Sequence, residues 1–161
     1  MGVGLARDDQ VLAVEEDPVK LSKNFSLAEF SQPARHGLPA LPYPEEWIET
    51  RLRPLCEVLE AIRAELGGRS ITILSGFRSK SYNARIDGAR ASQHCEGRAA
   101  DITVRGVVPG RVFDCALALH RLGLAKIGGL ACYDGFVHVD VRPGDRLARW
   151  EGTRTAKETA G

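Results

Sequence analysis

Long apolar runs are missing from this 161-residue sequence: nothing approaches the roughly 20 consecutive residues that cross a bilayer, so no membrane span is expected. The amino terminus, Met1-Gly-Val-Gly-Leu-Ala-Arg-Asp-Asp9, lacks a basic start followed by an apolar segment, and no secretory signal is read there. Charge of one sign is missing too. With 22 basic against 21 acidic side chains the formal net charge is +1, which argues for neither a nucleic-acid partner nor an acidic one. Cys56, Cys95, Cys115 and Cys132 show no Cys-x-x-Cys spacing and read as small buried thiols rather than staples. Cys95 adjoins a candidate ligand but, one residue along, is expected to point elsewhere. There is no Gly-x-x-x-x-Gly-Lys phosphate loop, no Gly-x-Ser-x-Gly nucleophile turn and no internal repeat.

What remains is ordinary globular material, 43% hydrophobic and long enough for one well-filled core. Residues 1–24 show no period and read as an N-terminal arm, residues 25–151 as the domain, and residues 152–161 as a small polar tail. Ser26-Leu-Ala-Glu29 has capping-box spacing, with Phe25 and Phe30 as anchors. Pro33, Pro39, Pro42 and Pro44 make residues 31–44 a loop, in which His36 reads as solvated. From Glu45 to Leu66 apolar residues recur every three or four positions, predicting a helix that Pro54 kinks or splits and Gly67-Gly68 ends. Ile71–Leu74 reads as a strand, residues 80–93 as a long polar loop, and Ala100–Val104 as a second strand with Asp101 and Thr103 on one face. Pro109–Leu122 reads as a helix burying Val112, Ala116, Leu119 and Leu122, with His120 solvated near its end. Asp134-Gly135 marks a tight hairpin that sets Ala131 opposite His138 and Gly129 opposite Asp140, small side chains that would leave room for a peptide. The fold class that follows is α+β: a small, mostly antiparallel sheet with helices packed on one side.

The chemistry concentrates in two stretches. Ser92-Gln-His-Cys-Glu-Gly-Arg-Ala-Ala-Asp101 holds an imidazole and a carboxylate seven residues apart in a small-residue turn. Phe136-Val-His-Val-Asp-Val-Arg142 alternates with a period of two, so Phe136, His138, Asp140 and Arg142 share a face opposite three valines. Taken singly, each histidine is as well explained as a satisfied structural residue. Together, His94, Asp101 and His138 offer two nitrogens and one oxygen to a tetrahedral zinc and leave its fourth corner open for water, as catalytic zinc sites do.

Ser-x-His-x-x-Gly-x-Ala-x-Asp followed by Phe-Val-His-Val-Asp resembles the zinc D-alanyl-D-alanine carboxypeptidases and related cell-wall metallopeptidases, whose fold is shared with the amino-terminal domain of hedgehog proteins. Ser75-Gly-Phe-Arg-Ser79, Asn83 and the closing Val141-Arg-Pro-Gly with Arg149-Trp150 fit the same family, the last looking like the subgroup acting on murein cross-links. The resemblance covers roughly residues 25 to 150. It implies a hedgehog/DD-peptidase-like fold, His94, Asp101 and His138 as zinc ligands, Arg78 as a substrate-facing arginine, and peptidoglycan stem peptides as substrate. One position departs from it: several branches place an acidic general base three residues before the last histidine, where this chain has Gly135. Asp134, in the turn, and Asp140, on the strand face of His138, are the candidates for that role, and Asp140 could equally orient a ligand. A murein substrate lies outside the cytoplasm, so the absence of a visible signal suggests a phage lysis enzyme or a virion component with virion proteins as partners. Two further readings stand beside the enzyme: a non-catalytic zinc-binding or structural module, and a zinc-free virion assembly protein.

Overall fold

A computed structural model describes residues 19–152 of the chain. Most of the expected arm and all but the first residue of the expected tail lie outside the described residues. Residues 19–24 pack on the domain: Leu21 is a core residue, and Glu60 accepts hydrogen bonds from Ser22 Oγ (2.6 Å), Asn24 N (2.7 Å) and Asn24 Nδ2 (2.7 Å). The packed unit therefore starts ahead of Phe25.

The helical stretch expected from Glu45 to Leu66 is split, as a proline at position 54 requires. A 3-10 turn, Glu45–Trp47, is followed by a π turn, Ile48–Leu52, and then by α1, Arg53–Glu65. Pro54 has no N–H to donate, and in the first turn of α1 that loss is harmless. Gly67 and Gly68, at φ +83° and +79°, stop the helix. The segment read as loop at residues 80–93 contains a helix, α2, Lys80–Arg85, whose N-terminus is capped by Ser79 Oγ accepting from Tyr82 N. Its six residues, with only Tyr82 and Ala84 apolar, carry no apolar period to announce it. The last helix, α3, Pro109–Arg121, buries Val112, Phe113, Ala116 and Leu119. Leu122, expected on that face, is 72% exposed, because the helix ends at Arg121 and the chain turns away at Gly123 (φ +74°). His120 is half-buried rather than solvated and accepts a hydrogen bond from Ile127 N at 3.3 Å.

Five strands, β1 (Ile71–Ser75), β2 (Ala99–Val104), β3 (Gly129–Cys132), β4 (Val137–Asp140) and β5 (Ala148–Glu151), form one sheet in the order β1-β2-β4-β3-β5. All neighbours are antiparallel except β3 and β5, which run parallel. The hairpin has the register its two-residue turn dictates, with Ala131 opposite His138 and Gly129 opposite Asp140. Ile102, Val104, Leu130, Val137 and Val139 face α1 and α3 and close the main core. This is the α+β architecture expected. The other face carries the polar side chains of β2 and β4 beside a small cluster of Ala131, Tyr133, Phe136 and Trp150.

Candidate metal centre

Period-two alternation places the site. On β2, Ile102 and Val104 enter the core, so Asp101 points to the opposite face; on β4, Val137 and Val139 do the same, so His138 and Asp140 join it. The antiparallel register then sets Asp101 directly opposite His138. The third element comes from β1. Its pairing with β2 slips between Ile73 and Ser75, leaving Leu74 as an extra residue, and this bulge turns Ser75 toward Asp101. The chain then passes Gly76 and Phe77 into Arg78, whose N–H donates to His94 O at 3.1 Å. The ligand turn itself needs Gly97: its φ is +70°, and a Cβ there would lie 2.7 Å from both Tyr43 Oη and the Trp47 ring.

His94, Asp101 and His138 are 0%, 2% and 0% exposed, and one donor atom of each lies within 4.8 Å of the others. Proton accounting shows what they converge on. His94 Nδ1 lies 2.8 Å from Gly76 O, a carbonyl that can only accept, so Nδ1 carries the proton and Nε2 presents a lone pair. That lone pair faces Asp101 Oδ1 at 3.1 Å. His138 Nε2 lies 2.7 Å from Asp140 Oδ2, likewise an acceptor, so Nε2–H donates and Nδ1 faces the same Asp101 Oδ1 at 3.1 Å. His94 Nε2 and, in the neutral tautomer that Asp140 selects, His138 Nδ1 thus offer lone pairs beside Asp101 Oδ1. Positive charge is what such a point binds. Zinc bonds of about 2.0–2.2 Å at roughly tetrahedral angles hold donor atoms a little over 3 Å apart, and the donor set fits such an ion.

The titration directions follow from burial and from these contacts. Burial lowers the proton affinity of His94. At His138 burial acts the same way but is outweighed by hydrogen bonds to Asp101 and Asp140, which raise it. Burial opposes ionisation of Asp101 too, yet the two histidines hold its carboxyl well below the usual range. Asp140 is also held low, against its burial, by His138 and Arg142.

Around the three donors lies a fixed network. Arg78, 1% exposed, donates through Nη2 to Asp101 Oδ2 (3.1 Å), through Nη1 to Asn83 Oδ1 (2.9 Å) and through Nε to Ser75 Oγ (3.0 Å). Arg142 folds back onto Asp140 through Nη2 (2.6 Å) and Nε (2.9 Å to Oδ1). The Trp150 ring packs against His138 at 5.3 Å and donates from Nε1 to Tyr133 Oη. Gly129 and Ala131 leave no open channel for a peptide: a Cβ at Gly129 would overlap the Asp140 carboxylate, and Ala131 is buried beside Trp150. The open side is elsewhere, a cavity of about 500 Å³ lined by Asp101, Arg78, Ser75 and Phe136 among others. Asp134 is exposed at the hairpin tip, outside this network. Ser75 and Trp150, which the sequence offers only as parts of the family's motifs, owe their places here to a bulge and an added parallel strand that nothing in the sequence marks.

The sequence has known counterparts. A segment of 44 residues is 43% identical to the zinc D-Ala-D-Ala carboxypeptidase of Streptomyces albus G, covering 27% of this chain and 17% of that protein. The sequence model of the peptidase M15 family matches residues 23–140, a span that takes in α1, the bulge, Arg78, both histidines, Asp101 and Asp140 and stops short of β5. With most of its described length and every donor atom inside that match, the chain belongs to the peptidase M15 family.

Proposed function

We propose that this chain is a zinc-dependent peptidase acting on D-amino-acid-containing peptides of bacterial peptidoglycan. The observation that carries the reading is the meeting of one donor atom each from His94, Asp101 and His138, with Asp101 lining a cavity of about 500 Å³. Family membership supports peptide hydrolysis, and the similarity to a zinc D-Ala-D-Ala carboxypeptidase supports both the metal and the D-peptide. His94 would hold the ion through Nε2, His138 through Nδ1 and Asp101 through Oδ1. When bound, zinc supplies Lewis acidity, polarising a carbonyl and lowering the pKa of water toward neutrality. Gly76 O and Asp140 keep the two imidazoles in the tautomers that present lone pairs. Arg78 uses three of its five N–H groups on Asp101, Asn83 and Ser75. The remaining two are assigned to the substrate's carbonyl or carboxylate oxygen, where a planar donor stabilises developing negative charge. Asp140 is engaged on His138 and Arg142, which suits it to orienting rather than to proton transfer. Asp134, bound in none of these contacts, is the carboxylate assigned to take and return the proton.

Incubation with a peptide ending in D-Ala-D-Ala is the test. Hydrolysis with zinc, none with chelator and none in H94A, D101A or H138A is the expected result. Release of terminal D-Ala identifies a carboxypeptidase and cleavage of cross-linked dimers an endopeptidase. Action after lysis or from a virus particle belongs to the same proposal, and recovery of the chain in purified particles tests it. One observation favours a second reading, a zinc-binding module without chemistry: Gly135 stands three residues before His138, where a base is expected. Zinc bound at one per chain, with no turnover of any D-peptide, identifies that case.

A further inference from the structure

The cavity beside the metal centre has a second stretch of wall built from elements that carry charge. Residues 35–38 form a two-residue hairpin, with Arg35 N–H donating to Leu38 O and Leu38 N–H to Arg35 O, each at 3.0 Å. His36 and Gly37 stand at φ +57° and +77°, the left-handed pair such a reversal needs. The hairpin tip is fastened to α2: Arg85 Nη1 donates to His36 O at 2.9 Å, and the His36 ring meets Tyr82 edge-on at 5.6 Å. Arg35, His36 and Arg85 line the same cavity as Asp101 and Arg78.

The charge of this wall is uncompensated. Among the described residues neither Arg35 nor Arg85 is ion-paired, and the acid in the cavity, Asp101, is already held by Arg78 and the two histidines. The same lining includes the apolar side chains of Phe77, Phe136 and Leu74, the last 52% exposed. A ligand matching this lining is a peptide with a free carboxylate.

We propose that Arg35 and Arg85 form a carboxylate-binding position for the substrate peptide, additional to Arg78, and that they select acidic peptides over their amides. The proposal rests on the peptidase reading for the identity of the ligand. The carboxylate comes from the chain terminus or from an acidic side chain, and the test separates the two. Three peptides ending in D-Ala-D-Ala are titrated into the zinc-loaded chain, each with its scissile amide N-methylated to resist cleavage: a glutamate peptide with a free terminus, its glutamine analogue, and its C-terminal amide. The wild type is expected to bind the first about tenfold more tightly than one of the two neutralised peptides, the loss of a charge-assisted pair. That peptide names the carboxylate. In R35Q/R85Q that preference is expected to fall severalfold, with zinc content unchanged, and what remains of it belongs to Arg78. R35Q alone, at a side chain that makes no hydrogen bond among the described residues, gives part of the effect if the double variant does not fold. Equal binding of the three by the wild type, or discrimination that survives undiminished in the variants, overturns the proposal. Discrimination without hydrolysis of the unmethylated parent would sink the peptidase reading and leave the carboxylate position standing.

Discussion

Replacing Asp140 by asparagine separates orientation from ligation. The amide oxygen can still accept from His138 Nε2, but the amide nitrogen then faces Arg142, which only donates. Zinc affinity, measured by competition with a chelator, is expected to fall about 10- to 100-fold, the usual effect of losing an outer partner of a ligating histidine. Unchanged affinity would refute the orienting role. Gly129→Ala should act in the same direction by a different route, since its Cβ would displace the Asp140 carboxylate. Much at this scale was legible from strand alternation: His138, Asp140 and Arg142 had to share a face, and Asp101 had to face away from Ile102. The choice between base and orienter for Asp140 was not, because it depends on Arg142 folding back two residues along its own strand. Nor was the engagement of Arg78 with Asp101, which follows from a one-residue slip in β1 that leaves no mark in composition.

Secondary elements were readable where an apolar period ran for several turns and failed where it did not. α1, α3 and the hairpin follow their patterns, whereas α2 is too short and polar, and β5 is an edge strand with alternate residues exposed. The end of α3 shows how sharply burial changes within one turn. Leu119 is buried and Leu122 is not, so Leu119→Ala should cost about 2–5 kcal/mol and Leu122→Ala within about 0.5 kcal/mol in urea unfolding. At the other end of the domain, Glu60 fastens residues 22–24 to α1. Burial opposes its ionisation, but the hydrogen bonds from Ser22 and Asn24 outweigh it and lower its pKa in the folded chain. A lowered folded pKa gives stability that is present above the unfolded value of about 4.3 and lost as pH falls through the folded one. Glu60→Gln should therefore destabilise by about 1–2 kcal/mol at pH 7. The difference from wild type should shrink below pH 4, and a constant difference across that range would count against the ionic contribution.

The sheet divides the molecule into a core face and a chemical face, and the two depend differently on metal. Leucine, isoleucine and valine side chains from α1, α3 and the strands fill the first without any contribution from the ligands, whereas the second holds a carboxylate and two imidazoles whose lone pairs converge. That division, like the α+β class, was implicit in strands backed by valine or isoleucine and faced by histidine or aspartate. It predicts that chelation leaves the fold intact, because burial on the core face does not pass through the ion. Far-UV circular dichroism should keep its helical signal in excess chelator. Zinc should nevertheless stabilise, since it binds the folded chain and not the scattered ligands of the unfolded one: at a thousandfold excess over its dissociation constant the gain is about 4 kcal/mol, which for a domain of this size raises the melting temperature on the order of 10 °C. The same addition should leave H138A unmoved, because two remaining donors cannot compensate for the third. If chelator unfolds the wild type, the core is not independent of the centre; if zinc raises the melting temperature of H138A as much as that of the wild type, the ion binds somewhere other than between His94, Asp101 and His138.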